Sequence, residues 1–216
     1  MKILLLSILS FLVADCNEVK QASLPELEVK YADLQSDKYE KTVFASGCFW
    51  CVEAVFESVE GVVEAISGYA GGTALDASYD KVSAGVTKHA EAVEVYYDPT
   101  IVSYNTLLKV FFGSHDPTTL NRQGPDRGTQ YRSTIFYKNE EEKTAAEAYI
   151  TALQREKVWD DPITTTLEPL TQFYPAEDYH QDYEKRNPNQ PYVRSVSVPR
   201  LKKFQAKYPE LLKKEH

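Results

Sequence analysis

Cys48 and Cys51, three residues apart, are the side chains of this 216-residue sequence best suited to redox chemistry. Gly47 precedes them, and apolar residues follow at helical spacing, which places Cys48 at a predicted helix N-terminus. The free backbone N–H groups and the dipole at such a terminus stabilise a thiolate. Cys51 lies one turn further along the same face. A sulfenic acid formed on Cys48 could therefore condense with Cys51 to a disulfide.

The cysteine pair has two other interpretations. Most free cysteines are small buried apolar residues, and such a pair can also form half of a zinc site. Zinc would need two more ligands from His89, His115 and His180, whose spacing matches no standard zinc motif. We expect neither a metal nor a cofactor.

Glu91 is the carboxyl group best suited to donate a proton beside such a thiol. It falls on a strand predicted from His89 to Tyr97, where it alternates onto the same face as Val93 and Val95. A carboxyl group on an apolar face is desolvated, which raises its pKa. A proton donor that works at neutral pH needs such a raised pKa. Glu94 alternates to the opposite face, where we expect an ordinary solvated carboxylate.

Hydrophobic periods predict the scaffold that positions these residues. Predicted strands cover Thr42 to Ala45, Val62 to Tyr69, His89 to Tyr97, Tyr131 to Tyr137 and Ile163 to Leu167. Predicted helices follow Gly47, a Ser103 cap and an Asn139 cap, with Gly61 and Gly113 ending the first two. This order predicts an α+β fold: a split βαβ (ferredoxin-like) two-layer core with a long, mostly irregular C-terminal arm.

The N-terminus predicts export. An apolar run from Ile3 to Ala14 follows Lys2 and is too short to span a bilayer. It ends in a stretch that resembles a lipoprotein cleavage box with Cys16 acylated, although Asp15 stands where a small residue is usual. Cleavage after Ala14 is the alternative, and in either case we expect an extracytoplasmic protein, touching a membrane only through a lipid on Cys16.

The rest of the chain divides into three segments. We expect residues 17–41 to form a polar tether and residues 42–199 to form the main domain with its arm. We expect residues 200–216 to form an amphipathic helix docked on that domain. The formal net charge of −8 excludes a nucleic-acid partner, which would need a basic surface. We expect a monomer.

An ordered series of motifs resembles the peptide methionine sulfoxide reductase A family. The first is Gly47-Cys48-Phe49-Trp50-Cys51, and the series continues over most of the chain to about Tyr192. The further matching stretches are Gly68 to Gly72, Ser78-Tyr79, His89 to Val93, His115-Asp116-Pro117, Gln123 through Arg132, and Phe173 through His180.

The resemblance implies a reaction and roles for individual residues. Cys48 would attack the sulfur of methionine-S-sulfoxide, free or in peptides and proteins, with Glu91, Tyr79 and Tyr131 around the sulfoxide oxygen. The substrate-binding residues it implies are Phe49, Trp50, Asp126 and Tyr192. Alone, the two tyrosines would be indistinguishable from core residues, and Asp126 would be a turn residue.

Many relatives recycle through a cysteine in the C-terminal arm, and the arm near Asn187 to Val198 contains none. Cys51 is therefore our candidate resolving thiol, and we expect a Cys48–Cys51 disulfide that a thioredoxin-like dithiol reduces. Two rival hypotheses remain: a general Cys-x-x-Cys thiol–disulfide oxidoreductase, which leaves Glu91 without a role, and a non-catalytic, membrane-tethered binding module.

Overall fold

A computed structural model describes Leu34 and residues 36–214 of the chain. The predicted signal peptide, Cys16 and most of the predicted tether lie outside these residues. Within the described part, we find no helix with the length and apolar character needed to cross a membrane.

The fold is α+β, with a six-stranded mixed sheet and helices. The strands are β1 (Glu40–Ser46), β2 (Val62–Ala70), β3 (Ala90–Tyr97), β4 (Arg122–Gln123), β5 (Asp126–Arg127), β6 (Ser133–Tyr137), β7 (Thr166–Pro169) and β8 (Phe173–Pro175). The helices are α1 (Phe49–Glu57), α2 (Tyr79–Ser83), α3 (Tyr104–Ser114), α4 (Glu140–Arg155), α5 (Tyr183–Arg186) and α6 (Val198–Lys207).

Strand order brings the candidate catalytic segments together. The main sheet runs β7-β6-β1-β3-β2-β8, and only the β6–β7 pair is parallel. β3 lies between β1 and β2, which α1 connects. The start of α1, which carries the cysteine pair, therefore lies near the beginning of β3, which carries Glu91.

Local sequence explains the main helices and strands. Ser103 caps α3 by accepting a hydrogen bond from the Thr106 N–H, and Asn139 caps α4 by accepting one from the Glu142 N–H. Both caps were predicted. The prediction that Gly113 ends its helix was wrong: Gly113 lies inside α3, where a side chain would collide with the Tyr208 ring.

The sheet is buried on both faces. One face packs against α1, α3, α4 and α6 around a core that includes Phe44, Phe56 and Phe111. A second apolar cluster covers the other face, so every residue of β3 is buried. The expectation of a solvated Glu94 was therefore wrong: this carboxylate is buried, forms an ion pair with Lys41 at 2.9 Å and accepts a hydrogen bond from Tyr96.

The C-terminal arm is more regular than predicted. It contains β8, α5, a π-helical turn over Val193–Ser197 and α6. β8 has three residues and pairs with the edge of β2, so its structure depends on long-range contacts that a local pattern does not reveal. α6 ends at Lys207, before Pro209, and does not continue to residue 216 as predicted. Its Phe204 is buried in the core.

Candidate active site

Cys48 stands at the junction of β1 and α1. Gly47 turns the chain with a φ of +95°, a conformation that L side chains rarely adopt, and Cys48 follows as the N-cap residue of α1. The thiols of Cys48 and Cys51 are free, buried and hydrogen-bonded to each other. The predicted spacing of one helical turn therefore brings the two sulfur atoms into contact.

Glu91 lies beside Cys48 through the backbone of the next residue. The Phe49 N–H, at the free end of α1, donates a hydrogen bond to Glu91 Oε2 at 3.1 Å. The Glu91 side chain is only 2% exposed. Burial raises the pKa of Glu91 to about 8, with a further contribution from the nearby charge of Asp126. The carboxyl group is therefore protonated at neutral pH, as the sequence predicted.

The prediction that the helix terminus stabilises a Cys48 thiolate was wrong for the protein with both thiols free. Burial, followed by Cys51 and the Glu91 charge, raises the pKa of Cys48 well above that of a free thiol. The Phe49 N–H that the thiolate would need is bonded to Glu91 instead.

Cys51 is the more acidic thiol of the pair. A hydrogen bond from Cys48 contributes most to lowering the pKa of Cys51 to about 6, assisted by the charge of Arg200 and by interactions with the hydroxyl groups of Ser197 and Tyr192. These contributions outweigh the effect of burial.

Tyr79 and Tyr131 lie close enough to Cys48 and Glu91 for the charges of these two residues to affect the tyrosine pKa values. Burial is the main cause of the raised pKa of both phenols, and Glu91 and Cys48 add to it; the pKa of Tyr79 reaches about 12. Both hydroxyls therefore keep their protons at neutral pH and can donate hydrogen bonds. The structure thus brings these four predicted residues together.

Asp126 and Tyr192 form a pair on the Cys51 side of the site. The Tyr192 hydroxyl donates a 2.6 Å hydrogen bond to Asp126 Oδ2 and lies 3.8 Å from Cys51 Sγ. Burial raises the pKa of Asp126. Both residues were predicted to contact substrate, and the structure places them next to the second thiol.

Phe49 and Trp50 have different environments. Phe49 is 1% exposed and packs among aromatic rings, including that of Tyr79, which is stacked at 6.5 Å. Trp50 is half-buried and stacks on Tyr183 with ring centroids 3.7 Å apart. Its indole N–H donates a 3.1 Å hydrogen bond to Nδ1 of His180. Trp50 is therefore more exposed than Phe49, and Tyr183 and His180 fix the position of its indole.

The histidines considered as zinc ligands bind other partners. His89 Nε2 donates to the Thr73 carbonyl at 3.0 Å, and His115 bonds the Phe111 carbonyl and the Ser133 hydroxyl. Burial lowers the pKa of His180 to about 4, so this ring is neutral and can accept from Trp50. Glu53, Glu57 and Asp182 form a group of carboxylates whose oxygens lie within 4.8 Å, but Lys185 forms ion pairs with Glu57 and Asp182.

Sequence reasoning gave no role to Glu177 or Arg200. Glu177 accepts hydrogen bonds from the Tyr79 N–H at 3.0 Å and the Tyr69 hydroxyl at 2.7 Å, which hold α2 at the site. It lies within the matching stretch Phe173 to His180, which was the available signal. Arg200 was assigned only to the C-terminal helix, and no local pattern connects it with Cys51.

Comparisons with known proteins agree with the geometry. A family model described as "Peptide methionine sulfoxide reductase" matches residues 40–212. A peptide methionine sulfoxide reductase MsrA of Synechocystis is 47% identical over 205 residues, 94% of this chain and 95% of the relative. An MsrA of Acinetobacter baumannii is 51% identical over 174 residues, 81% of this chain and 99% of the relative.

Two solved structures are also similar. Reduced Mxr1 of Saccharomyces cerevisiae superposes with a TM-score of 0.66 at 36% identity, covering 70% of this chain and 87% of that one. Methionine sulfoxide reductase A of Corynebacterium diphtheriae gives 0.63 at 35% identity, covering 72% and 78%. The chain therefore belongs to the peptide methionine sulfoxide reductase family.

Proposed function

We propose that this chain reduces the S epimer of methionine sulfoxide, free or in peptides and proteins, with Cys48 as the nucleophile and Glu91 as the proton donor. The observation that carries the proposal is the buried Glu91 carboxyl group, protonated at neutral pH and bonded to the Phe49 N–H next to Cys48. A carboxyl group in this state can donate a proton to the oxygen of a sulfoxide whose sulfur Cys48 attacks.

The first step forms a sulfur–sulfur bond and protonates the oxygen. The Cys48 thiolate attacks the electrophilic sulfur while Glu91 transfers its proton to the oxygen, and the hydroxyls of Tyr79 and Tyr131 stabilise the charge there. Collapse then moves the hydroxyl group to Cys48, releasing methionine and leaving Cys48 as a sulfenic acid. Glu91 ends this step as a carboxylate.

Recycling follows through Cys51. The Cys51 thiolate attacks the Cys48 sulfur, hydroxide leaves and takes up a proton to form water, and a disulfide joins the two residues. The low pKa of Cys51 and its contact with Cys48 support this role. A thioredoxin-like dithiol then reduces the disulfide by exchange.

Four substrate-binding residues complete the proposed site: Phe49, Trp50, Asp126 and Tyr192. Trp50 directly precedes Cys51 and is only half-buried, so its ring can contact the methyl group of the substrate. Tyr192 holds Asp126 beside the cysteine pair through its hydrogen bond.

We also propose a ferredoxin-like core and an extracytoplasmic location for this protein. The order β6-β1-β3-β2, in which every neighbouring pair is antiparallel, supports a ferredoxin-like split βαβ core. The N-terminal apolar run supports export, and Cys16, which follows this run, is the candidate site for a lipid anchor. The protein acts as a monomer in this proposal.

The test is consumption of a racemic methionine sulfoxide peptide with dithiothreitol as reductant, followed by chiral chromatography. Wild type should consume one epimer, the S form, and Cys48→Ser should consume neither. Exchange of disulfides without consumption of either epimer would overturn the proposal in favour of a general thiol–disulfide oxidoreductase.

A further inference from the structure

A cavity of about 470 Å³ opens beside Cys51. Its wall includes Phe112 of α3, Trp159 and the cationic face of α6, and Cys51 lies among the lining residues. Cys48 and Glu91 do not line it. The cavity therefore lies on the Cys51 side of the cysteine pair, and it shares Asp126 and Tyr192 with the proposed sulfoxide site.

The cavity is positively charged. Arg200, Lys203 and Lys207 contribute three cations, whereas Asp116 and Asp126 contribute two carboxylates. Asp126 accepts from the Tyr192 hydroxyl and Asp116 from the N–H and hydroxyl of Thr118, which are uncharged donors, so both carboxylates keep their charge. Three cations against two carboxylates leave a net charge of +1 on the lining, which favours an anion.

Arg200 holds its guanidinium group beside Cys51 without using up its charge. The group donates to the Ser114 carbonyl at 2.8 Å and to the Ser46 carbonyl and hydroxyl at 3.0 Å, all of which are uncharged acceptors. Its charge also favours the thiolate of Cys51. The Cys51 end of the cavity is thus suited to anionic ligands.

The cavity gives a small molecule a route to Cys51. The residue is 2% exposed, and its sulfur lies beside the cavity, which a small molecule can enter. A cavity of this volume falls within the range for small-molecule sites and accommodates a peptide-sized thiol. Phe112 and Trp159 supply apolar surface for its uncharged portion.

We propose that this cavity binds a small thiol bearing carboxylate groups, which reduces the Cys48–Cys51 disulfide by attacking Cys51. The proposal rests on the proposed function, because that disulfide forms only after sulfoxide reduction. It adds a second route of recycling to the protein dithiol.

The exchange balances with two equivalents of thiol. The first thiolate bonds to Cys51 Sγ as the Cys48–Cys51 bond breaks, and Cys48 leaves as a thiolate. A second thiolate attacks the sulfur of the bound thiol, releasing the oxidised small molecule and the Cys51 thiolate. Two thiols are oxidised and the enzyme disulfide is reduced.

The test uses the full chain, oxidised with one equivalent of sulfoxide and then reduced with glutathione or with its diethyl ester, which lacks both carboxylate charges. Rates are compared among wild type, the double variant Lys203→Gln/Lys207→Gln and the control Lys202→Gln. Lys202 lies on α6 but does not line the cavity. We expect the double variant to lower the glutathione rate about fivefold, because two exposed charge pairs contribute modestly. The rate with the ester should not fall in the double variant, because the ester has no carboxylate to bind the lysines, and the control variant should change the glutathione rate less than twofold.

A second measurement locates the attacked sulfur. In Cys48→Ser, oxidised glutathione should form a mixed disulfide that peptide mapping assigns to Cys51. Equal effects of the double variant on glutathione and ester, equal effects of Lys202→Gln, or absence of a mixed disulfide on Cys51 would each overturn the proposal.

Dithiothreitol separates this failure from failure of the proposed function. The reagent is uncharged, so sulfoxide consumption driven by it does not depend on the cationic cavity. If dithiothreitol supports sulfoxide consumption but the rate with glutathione is unchanged in the double lysine variant, only the cavity proposal fails. If no sulfoxide is consumed with either reductant, the proposed function itself fails.

Discussion

The backbone N–H of Phe49 donates a 3.1 Å hydrogen bond to the side chain of Glu91, joining the start of α1 to β3. The contact fixes the proposed acid beside the residue that precedes Phe49, the nucleophile Cys48. It also occupies a helix-terminal donor that would otherwise lower the pKa of the thiol. The resting enzyme thus holds a protonated acid and a protonated nucleophile.

Replacing Glu91 with Gln should remove the proton donor while preserving its shape and burial. We expect kcat/KM for the sulfoxide peptide to fall about 10²- to 10⁴-fold, the usual contribution of a general acid. Glu94→Gln is the matched control, because Glu94 is buried on the same strand and faces the other side of the sheet. Similar losses in both variants, or retained activity in Glu91→Gln, would contradict the assignment.

The pH profile of kcat/KM should rise and then level off near pH 8. The productive form pairs a Cys48 thiolate with protonated Glu91, and the pKa of Glu91 is about 8, below that of Cys48. Below pH 8, a rise in pH increases the fraction of Cys48 thiolate while Glu91 stays protonated. Above pH 8, the further increase in thiolate is offset because Glu91 loses its proton.

Steady-state rates with saturating dithiothreitol, collected from pH 6 to pH 9.5, check this profile. In Glu91→Gln, kcat/KM should continue to rise beyond pH 8, because the second titration is gone. A bend near pH 8 that persists in this variant would assign the titration to another group.

The sequence indicated the residues whose function depends on local structure. The helix start at Cys48, the spacing to Cys51 and the apolar face that buries Glu91 all follow from periodicity, and all three appear in the structure. Contacts between distant segments could not be predicted in this way. Arg200 approaches Cys51 from a helix near the C-terminus, and the amide of Phe49 bonds to Glu91 rather than to the thiol.

His180 is a positioning residue for Trp50 in this account. Its neutral Nδ1 accepts the indole N–H, so His180→Leu should release the indole from its place at the edge of the site. We expect KM for the sulfoxide peptide to rise about five- to tenfold, the equivalent of one lost hydrogen bond, with a smaller change in kcat. His180→Asn retains an acceptor and should recover part of the loss; equal KM values in the two variants would contradict the role.

Gly113→Ala should destabilise the protein although alanine favours helices. A Cβ at this position of α3 lies 2.4 Å from Cε2 of the Tyr208 ring, so we expect a loss of about 1–2 kcal/mol in the free energy of unfolding. In a Tyr208→Ala background the same change should instead stabilise by about 0.5–1 kcal/mol, the normal preference for alanine over glycine in a helix. Urea denaturation of wild type, Gly113→Ala, Tyr208→Ala and the double variant measures the two changes in unfolding free energy. A loss of stability of the same size in both backgrounds would contradict the explanation.

The most direct test of the central claim is a single turnover without external reductant. Reduced protein is mixed with excess methionine sulfoxide peptide, methionine is quantified, and the cysteine peptides are mapped by mass spectrometry. We predict one equivalent of methionine per chain and a Cys48–Cys51 disulfide, with Cys51→Ser still forming one equivalent and leaving Cys48 as a sulfenic acid. Absence of methionine, or methionine formed while Cys48 remains a free thiol, would contradict the account.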